Sequence, residues 1–268
     1  MSNGAYSRQA KIFLSLLNLI AFIATVAVNA LATILPINNK TTGQLSDQYP
    51  NLFVPAGITF SIWGIIYLLL GIYIIYQLVI AFSKRSGGVG ILEKIGILFF
   101  LSSLFNIGWI FAWHYEILWL SLIFMVLLFI MLLSIYLRLR IGKSDAGGAE
   151  KGLAHLAFSV YMGWITIATI ANVTALLVDI GWNGFNLSEQ FWAVLVIAVG
   201  IIIALLVIFT RNDMFYCLVV VWSLLGILLK RLSDASTPAL GIIITVITGM
   251  ALIVLGIIIQ LARKKRVY

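Results

Sequence analysis

Three apolar segments of this sequence carry aromatic and amide side chains at helical spacing. Residues three, seven and eleven positions apart lie near one face of a helix, so each set forms a stripe. Three stripes that face one another would line a cavity with large apolar walls and a few polar tips, which suits a flat hydrophobic ligand. The stripes are Phe60, Trp63 and Tyr67; Asn106, Trp109 and Trp113; and Tyr161, Trp164, Ala168 and Asn172.

The same residues also have a structural interpretation. An amide in a lipid-embedded helix needs a partner, and side-chain hydrogen bonds between membrane helices contribute about 0.6–2 kcal/mol each. Asn29 and Asn106 would then join helices, and the tryptophans would fill the space between them. Three further tryptophans fall near predicted helix ends, where an aromatic belt at the membrane surface is the simpler interpretation. They are Trp119, Trp182 and Trp192.

Groups that catalyse reactions are missing from the apolar segments. The 9 acidic residues lie in predicted loops or at helix ends, and no Lys, Arg or His falls in the middle of a segment. This argues against a proton-coupled carrier, a pump or a voltage-gated channel. His114 and His155 lie near opposite membrane faces, and the single Cys217 cannot form a cysteine metal site. We therefore expect no enzyme, no catalytic residue, no metal and no cofactor.

The composition places these stripes in membrane helices. The chain has 268 residues, of which 63% are hydrophobic and 10% charged, whereas a soluble domain is about half apolar and a quarter charged. Segments of this length in lipid must be helical, because only a helix satisfies its own backbone polar groups. We predict an all-α polytopic bundle of about eight spans, the seventh being the shortest. The spans are roughly 12–36, 55–82, 92–113, 117–138, 153–179, 191–210, 214–230 and 239–262.

Positive charge is distributed unevenly between the two sides of this bundle. With the N-terminus inside and the first span uncleaved, 14 of the 17 Lys and Arg residues lie inside. The other three are Lys40, Lys230 and Arg231, of which the last two either snorkel at an outer helix end or indicate a misplaced seventh span. The asymmetry predicts a multi-pass protein of the cell membrane with both termini in the cytoplasm. It also explains the net charge of +8 without a nucleic-acid partner.

Three motifs in order resemble the TspO/MBR family of tryptophan-rich sensory proteins, whose animal relatives are the translocator protein or peripheral benzodiazepine receptor. They are PAGITFSIWGIIY, FNIGWIFAWH and VYMGWITIATIAN, and they match the family's second, third and fifth helices over about residues 10–180. The resemblance implies a five-helix bundle with a cavity beneath its first loop, which binds porphyrins, sterols and synthetic drugs. The residues it implies as cavity lining are Pro55, Trp63, Tyr67, Asn106, Trp109, Trp164 and Ala168.

The chain also departs from the family pattern. Its first loop ends in YPNLFVPAG, without the family's tryptophan and double proline, and three further helices follow residue 190. We therefore predict a TspO/MBR-like bundle over residues 1–180, and three additional helices with a basic tail over residues 181–268. The predicted ligand-binding residues are Pro55, Phe60, Trp63, Tyr67, Asn106, Trp109, Tyr161, Trp164, Ala168 and Asn172.

Three functional hypotheses remain open from the sequence. The first is a sensor or translocator that binds a hydrophobic planar molecule of the tetrapyrrole or sterol class in the bundle. The second is a permease component for a small apolar solute, and the third is a membrane assembly partner without a ligand. The lipid bilayer is the expected partner in all three, and a homodimer is an open alternative to a monomer.

Overall fold

The computed structural model describes residues 6–35, 37–83, 89–234 and 239–263, and these ranges contain helices and no strand. The predicted all-α class is confirmed. The helices are α1 (Arg8–Ile34), α2 (Thr42–Gln48), α3 (Ile62–Phe82), α4 (Val89–Ile95), α5 (Leu98–His114), α6 (Leu118–Arg138), α7 (Gly148–Glu150), α8 (Leu156–Asp179), α9 (Glu189–Arg211), α10 (Met214–Ser233) and α11 (Leu240–Ala262). A 3-10 turn at Gly57–Ser61 leads into α3, and a π-helical turn at Lys151–His155 joins α7 to α8.

Seven helical stretches in the described ranges are long and apolar enough to cross a membrane, and α5 is a shorter apolar helix of 17 residues. The third predicted span, α5, is therefore the shortest. The seventh, α10, has 20 residues and is long enough to cross a membrane. The reason lies at Gly96, whose φ of +51° is left-handed and ends α4 before α5 begins. The apolar segment predicted as one span from residue 92 is thus a short helix followed by a separate one.

The helices form one continuous bundle. On one side, α5 packs against α1 and α6, and α6 packs against α8. On the other side, α9 and α11 pack against each other and against α10. Helix α10 is the link between the two groups, because it contacts both α8 and the 3-10 turn before α3.

A buried carboxylate fastens α10 to the other group. Asp213 is the N-cap of α10 and is fully buried, which its predicted position at a helix end did not indicate. Its oxygens accept hydrogen bonds from Ser159 Oγ at 2.6 Å and from Tyr136 Oη at 2.8 Å. They also accept one from the backbone N–H of Tyr216 at 3.1 Å. The turn between α9 and α10 is therefore held on α6 and α8.

The three cations predicted on the outer side have partners there. Lys40 pairs with Glu116, and Lys230 Nζ lies 2.9 Å from Asp47 Oδ1. Arg231 pairs with Asp234 at 3.9 Å. Lys230 thus meets α2, as expected if α10 ends on the side of the bundle where α2 lies. Five cations of the predicted inner set lie outside the described residues: Lys84, Arg85, Lys264, Lys265 and Arg266.

Candidate ligand site

The three aromatic stripes meet around Trp63. Its ring centroid lies 5.5 Å from Tyr67 and 5.8 Å from Trp109, both stacked. Tyr161 and Trp164 approach it edge-on at 5.9 and 6.1 Å. The structure therefore brings α3, α5 and α8 together through the residues that the helical spacing selected. These rings pack on one another, so the centre of the bundle is largely filled.

A cavity of about 40 Å³ remains beside this cluster, and the predicted residues account for much of its lining. This volume holds a few water molecules and is far smaller than the roughly 300–1,000 Å³ of a pocket for a drug-sized ligand. Seven of the ten predicted site residues line it: Pro55, Phe60, Trp63, Trp109, Trp164, Ala168 and Asn172.

The three predicted residues that do not line the cavity are Tyr67, Asn106 and Tyr161. Asn106 is fully buried and joins three helices. Its Oδ1 accepts a hydrogen bond from Asn29 Nδ2 at 2.8 Å, and its Nδ2 donates to Tyr161 Oη at 3.0 Å. The structural interpretation of these amides thus agrees with the contacts that they make.

The segment between α1 and α3 covers the outer end of the cavity. Thr42 and Ser46 of α2, together with Phe53, contribute lining that the sequence analysis did not select. Asn51 shapes the approach, because its Oδ1 accepts from the N–H of Phe53 at 3.0 Å and its Nδ2 donates to the carbonyl of Tyr49 at 2.9 Å. We call this segment, built from a short helix and an Asn-braced loop, the lid of the cavity.

Tyr49 fixes this lid to the end of α5. Its ring lies 6.0 Å from that of Trp113, and its hydroxyl donates to Glu116 Oε2 at 3.3 Å. Burial, the charges of Glu116 and Asp179 and the hydrogen bond to Glu116 raise the pKa of Tyr49 to about 12. Trp113 also lines the cavity and donates its indole N–H to the carbonyl of Thr42 at 3.4 Å. Its place on the Asn106 stripe was the signal that could have added it to the site.

Helix α10 supplies a wall of the cavity that could not be expected from the sequence. Ser223 and Ile227 line the cavity. The residues directly before them contact the 3-10 turn: Trp222 donates its indole N–H to the carbonyl of Thr59 at 3.0 Å, and the carbonyl of Gly226 accepts from the N–H of Ala56 at 2.9 Å. In the sequence these residues belong to an ordinary apolar helix, and only the packing of α10 on the 3-10 turn brings them to the site.

The unused polar groups around the cavity are hydrogen-bond donors. The indole nitrogens of Trp109 and Trp164 are buried and have no partner within the described ranges. Asn172 Oδ1 accepts from Ser121 Oγ at 2.9 Å, whereas its NH₂ makes no hydrogen bond to the described residues. Among the described residues, no charged one lines the cavity. The groups that the cavity leaves free therefore suit an uncharged hydrogen-bond acceptor.

Comparison with known protein families identifies the architecture. The family described as TSPO-like protein matches residues 15–259. The chain belongs to the TSPO-like protein family. No match was found among curated proteins or among solved structures.

This TSPO-like chain is a multi-pass membrane protein with an all-α bundle. The resemblance predicted from the three motifs is confirmed, but its extent of about residues 10–180 was too short. The family match continues through α9 and α10 and nearly to the end of α11, so the last three helices lie within it. Within the described ranges, no group of three His, Cys, Asp or Glu side chains lies close enough to hold a metal ion.

Proposed function

We propose that this TSPO-like protein binds a hydrophobic planar molecule of the tetrapyrrole or sterol class at the aromatic cluster around Trp63, as a sensor or translocator. One observation carries the proposal. Two buried indole N–H groups, on Trp109 and Trp164, have no acceptor among the described residues and lie beside the cavity. An unmade buried hydrogen bond costs about 1–3 kcal/mol, and a ligand oxygen or nitrogen would recover it.

Binding requires the aromatic cluster to open. The cavity of about 40 Å³ admits part of one ring, so a polycyclic ligand must displace side chains that now fill the space. Trp63 is the ring to move, because it contacts four other aromatic rings and its displacement would enlarge the cavity that it lines. The lid at Phe53 must also move, since it closes the outer end. A ligand-coupled rearrangement of this kind is what a sensor needs.

Tryptophan quenching tests this proposal. The protein in lipid nanodiscs is titrated with protoporphyrin, and energy transfer to dehydroergosterol provides the sterol arm. Saturable quenching is expected in the wild type. The double variant Trp63→Ala, Trp164→Ala loses two ring contacts to the ligand, so its binding affinity should be about tenfold weaker. The matched control is Trp119→Ala, because Trp119 is 59% exposed and outside the cavity. Absence of quenching by both ligands, or equal affinity in all three proteins, overturns the proposal.

The tight packing favours a second candidate, a membrane assembly partner without a ligand. Its surface for a partner would include Trp119, which is 59% exposed on α6. A photo-crosslinking residue at position 119 that captures a defined partner or a second copy, together with no response to either ligand, supports this candidate. Solute flux into sealed vesicles above that of empty vesicles would instead support the permease hypothesis.

We also propose a non-catalytic role, residence in the cell membrane and cytoplasmic termini. The orientation follows from the asymmetry of Lys and Arg, to which the pairing of Lys230 with Asp47 adds support. Position-specific labelling checks it. A cysteine at Ser188, in a Cys217→Ser background, should react with a membrane-impermeant maleimide in intact cells, whereas one at Ser144 should react only after the membrane is opened.

A further inference from the structure

A second, larger pocket lies on the outer side of the bundle, apart from the aromatic cluster. Its volume is about 540 Å³, within the range of sites for drug-sized molecules. It is formed by the lid loop at Asn51–Phe53, the outer end of α8, the loop before α9 and the first turns of α9. We call it the outer groove. Phe53 is the one residue that lines both this groove and the small cavity.

The floor of the outer groove is apolar. Leu52, Val173 and Leu177 contribute to it, and Val178 beside them is 37% exposed. These side chains come from the lid loop and from α8, and Ala193 and Val196 of α9 line the groove with them. An apolar floor of this size binds the body of a hydrophobic molecule through the area that it removes from water.

One end of the groove carries two tryptophans in a fixed arrangement. The rings of Trp182 and Trp192 meet edge-on with centroids 4.8 Å apart, and the Trp192 indole donates to the carbonyl of Gly184 at 2.9 Å. Gly184 has a φ of +61°, and a Cβ there would lie 3.0 Å from Trp192 Nε1. Ser188 caps α9 by accepting from the N–H of Phe191 at 3.2 Å. The tryptophans are thus held in place by the loop.

The mouth of the groove is acidic. Glu189 lines it in the first turn of α9, where the helix dipole stabilises a carboxylate. Asp179 ends α8 nearby, close enough to Tyr49 to contribute to the raised pKa of that phenol. Neither carboxylate forms an ion pair with a residue in the described ranges, whereas Asp47 and Glu116 are paired with lysines. The mouth therefore presents uncompensated negative charge next to two aromatic rings.

We propose that the outer groove binds a lipophilic organic cation from the outer aqueous phase. Its apolar body would lie on the floor formed by Leu52, Val173 and Leu177. Its positive centre would lie between Glu189 and the faces of Trp182 and Trp192, where a carboxylate and π systems both attract a cation. This site differs from the aromatic cavity in position and in charge preference, so it does not depend on the function proposed above.

The test compares two ions of the same shape and opposite charge, tetraphenylphosphonium and tetraphenylborate. Each is measured by equilibrium dialysis against the full-length protein in phosphatidylcholine nanodiscs, with binding to empty nanodiscs subtracted. We expect saturable binding of the phosphonium and none of the borate above background. Equal binding of both ions, or no saturable binding of the phosphonium, overturns the proposal.

Two pairs of variants locate the site. Glu189→Gln keeps the shape of the groove and should weaken phosphonium binding about fivefold, as expected for a partly exposed ion pair. Asp47→Asn removes an outer charge elsewhere and should leave binding unchanged. Thr174→Phe fills the groove and should weaken binding at least about tenfold, because the body of the cation no longer fits. Its matched control is Thr210→Phe. The hydroxyls of Thr174 and Thr210 each donate to a carbonyl of their own helix, and Thr210 is exposed near the other end of the bundle.

The competing occupant is a membrane lipid with an ammonium head. If such a lipid fills the groove, the wild type will bind the phosphonium no better than Glu189→Gln in phosphatidylcholine nanodiscs. In nanodiscs without ammonium lipids, the wild type will bind it more tightly than Glu189→Gln. That result would identify a lipid, and not a soluble cation, as the occupant of the groove. Unchanged affinity in both Glu189→Gln and Thr174→Phe would place the bound cation outside the groove and contradict the proposal.

Discussion

Gly226 of α10 contacts Thr59 of the 3-10 turn so closely that no side chain fits between them. A Cβ at position 226 would lie 2.0 Å from Thr59 Oγ1 and 2.8 Å from its Cγ2. The carbonyl of Gly226 accepts from the N–H of Ala56 at 2.9 Å, four residues before Phe60, which lies in the same 3-10 turn as Thr59 and lines the cavity. The absence of one side chain thus allows a late helix to form a wall of the candidate site.

Gly226→Ala should displace α10 from the turn at Thr59. Overpacking of this kind costs about 1–3 kcal/mol, which exceeds the gain of up to about 1 kcal/mol when alanine replaces a helical glycine. The matched control is Gly64→Ala, because a Cβ at position 64 meets nothing within 4 Å and should leave stability unchanged or higher. Thermal unfolding in detergent, followed by size exclusion, measures both. A Gly226→Ala variant as stable as Gly64→Ala would contradict the close contact.

Asn106→Ala should uncouple α1, α5 and α8. The variant loses the hydrogen bonds to Asn29 and Tyr161, at about 0.6–2 kcal/mol each, and leaves both partners buried. Leu104→Ala on the same helix is the control, since Leu104 is 46% exposed and faces outward. A double-mutant cycle with Asn29→Ala measures the pair directly. Additive losses from the two single variants would show that the amides do not interact.

Phe53→Ala should join the small cavity to the outer groove. Removing this buried ring costs about 3–5 kcal/mol where the surroundings cannot collapse. It should also raise the quenching of the cluster tryptophans by aqueous acrylamide, because the lid no longer separates them from the groove. Phe111→Ala, at a side chain that is 42% exposed, is the control. Unchanged acrylamide quenching in Phe53→Ala would show that another residue closes the cavity.

Asp213 should make stability depend on pH. Burial raises the pKa of this carboxyl, while the hydrogen bonds from Ser159, Tyr216 and Tyr136 lower it in part. Because the pKa is higher in the folded than in the unfolded chain, its stabilising contribution is complete at low pH and is lost as the pH rises through the folded-state pKa. Asp213→Asn should lack this loss, so the variant gains stability relative to the wild type as the pH rises.

The alanine variant separates charge from hydrogen bonding at the same position. Asp213→Ala leaves the hydroxyls of Ser159 and Tyr136 buried without their acceptor, which costs about 1–3 kcal/mol for each group. It should therefore be less stable than Asp213→Asn at every pH. Urea or SDS unfolding between about pH 4 and pH 8 measures both variants. Parallel pH profiles for wild type and Asp213→Asn would show that this carboxyl does not titrate differently in the two states.

Some of these features followed from the sequence alone. The long apolar segments in lipid can only be helices, so the fold class and most of the spans were predictable. The spacing of Trp63, Trp109 and Trp164 places them on single helical faces, and large apolar faces pack together, so their convergence was predictable too. The break at Gly96 was harder to predict, because one glycine in an apolar segment is compatible with both a continuous and an interrupted helix.

Only the tertiary structure decided what these faces contact and how much space remains. Whether three aromatic stripes enclose a void or fill it depends on differences of about 1 Å in the separation of the helix axes, and no local pattern encodes these differences. The wall from Ser223 and Ile227 and the outer groove between α8 and α9 are contacts between segments far apart in the chain. Helical periodicity indicates which side of a helix carries the aromatic and amide residues. The identity of the neighbour that meets that side follows from the packing of the whole chain.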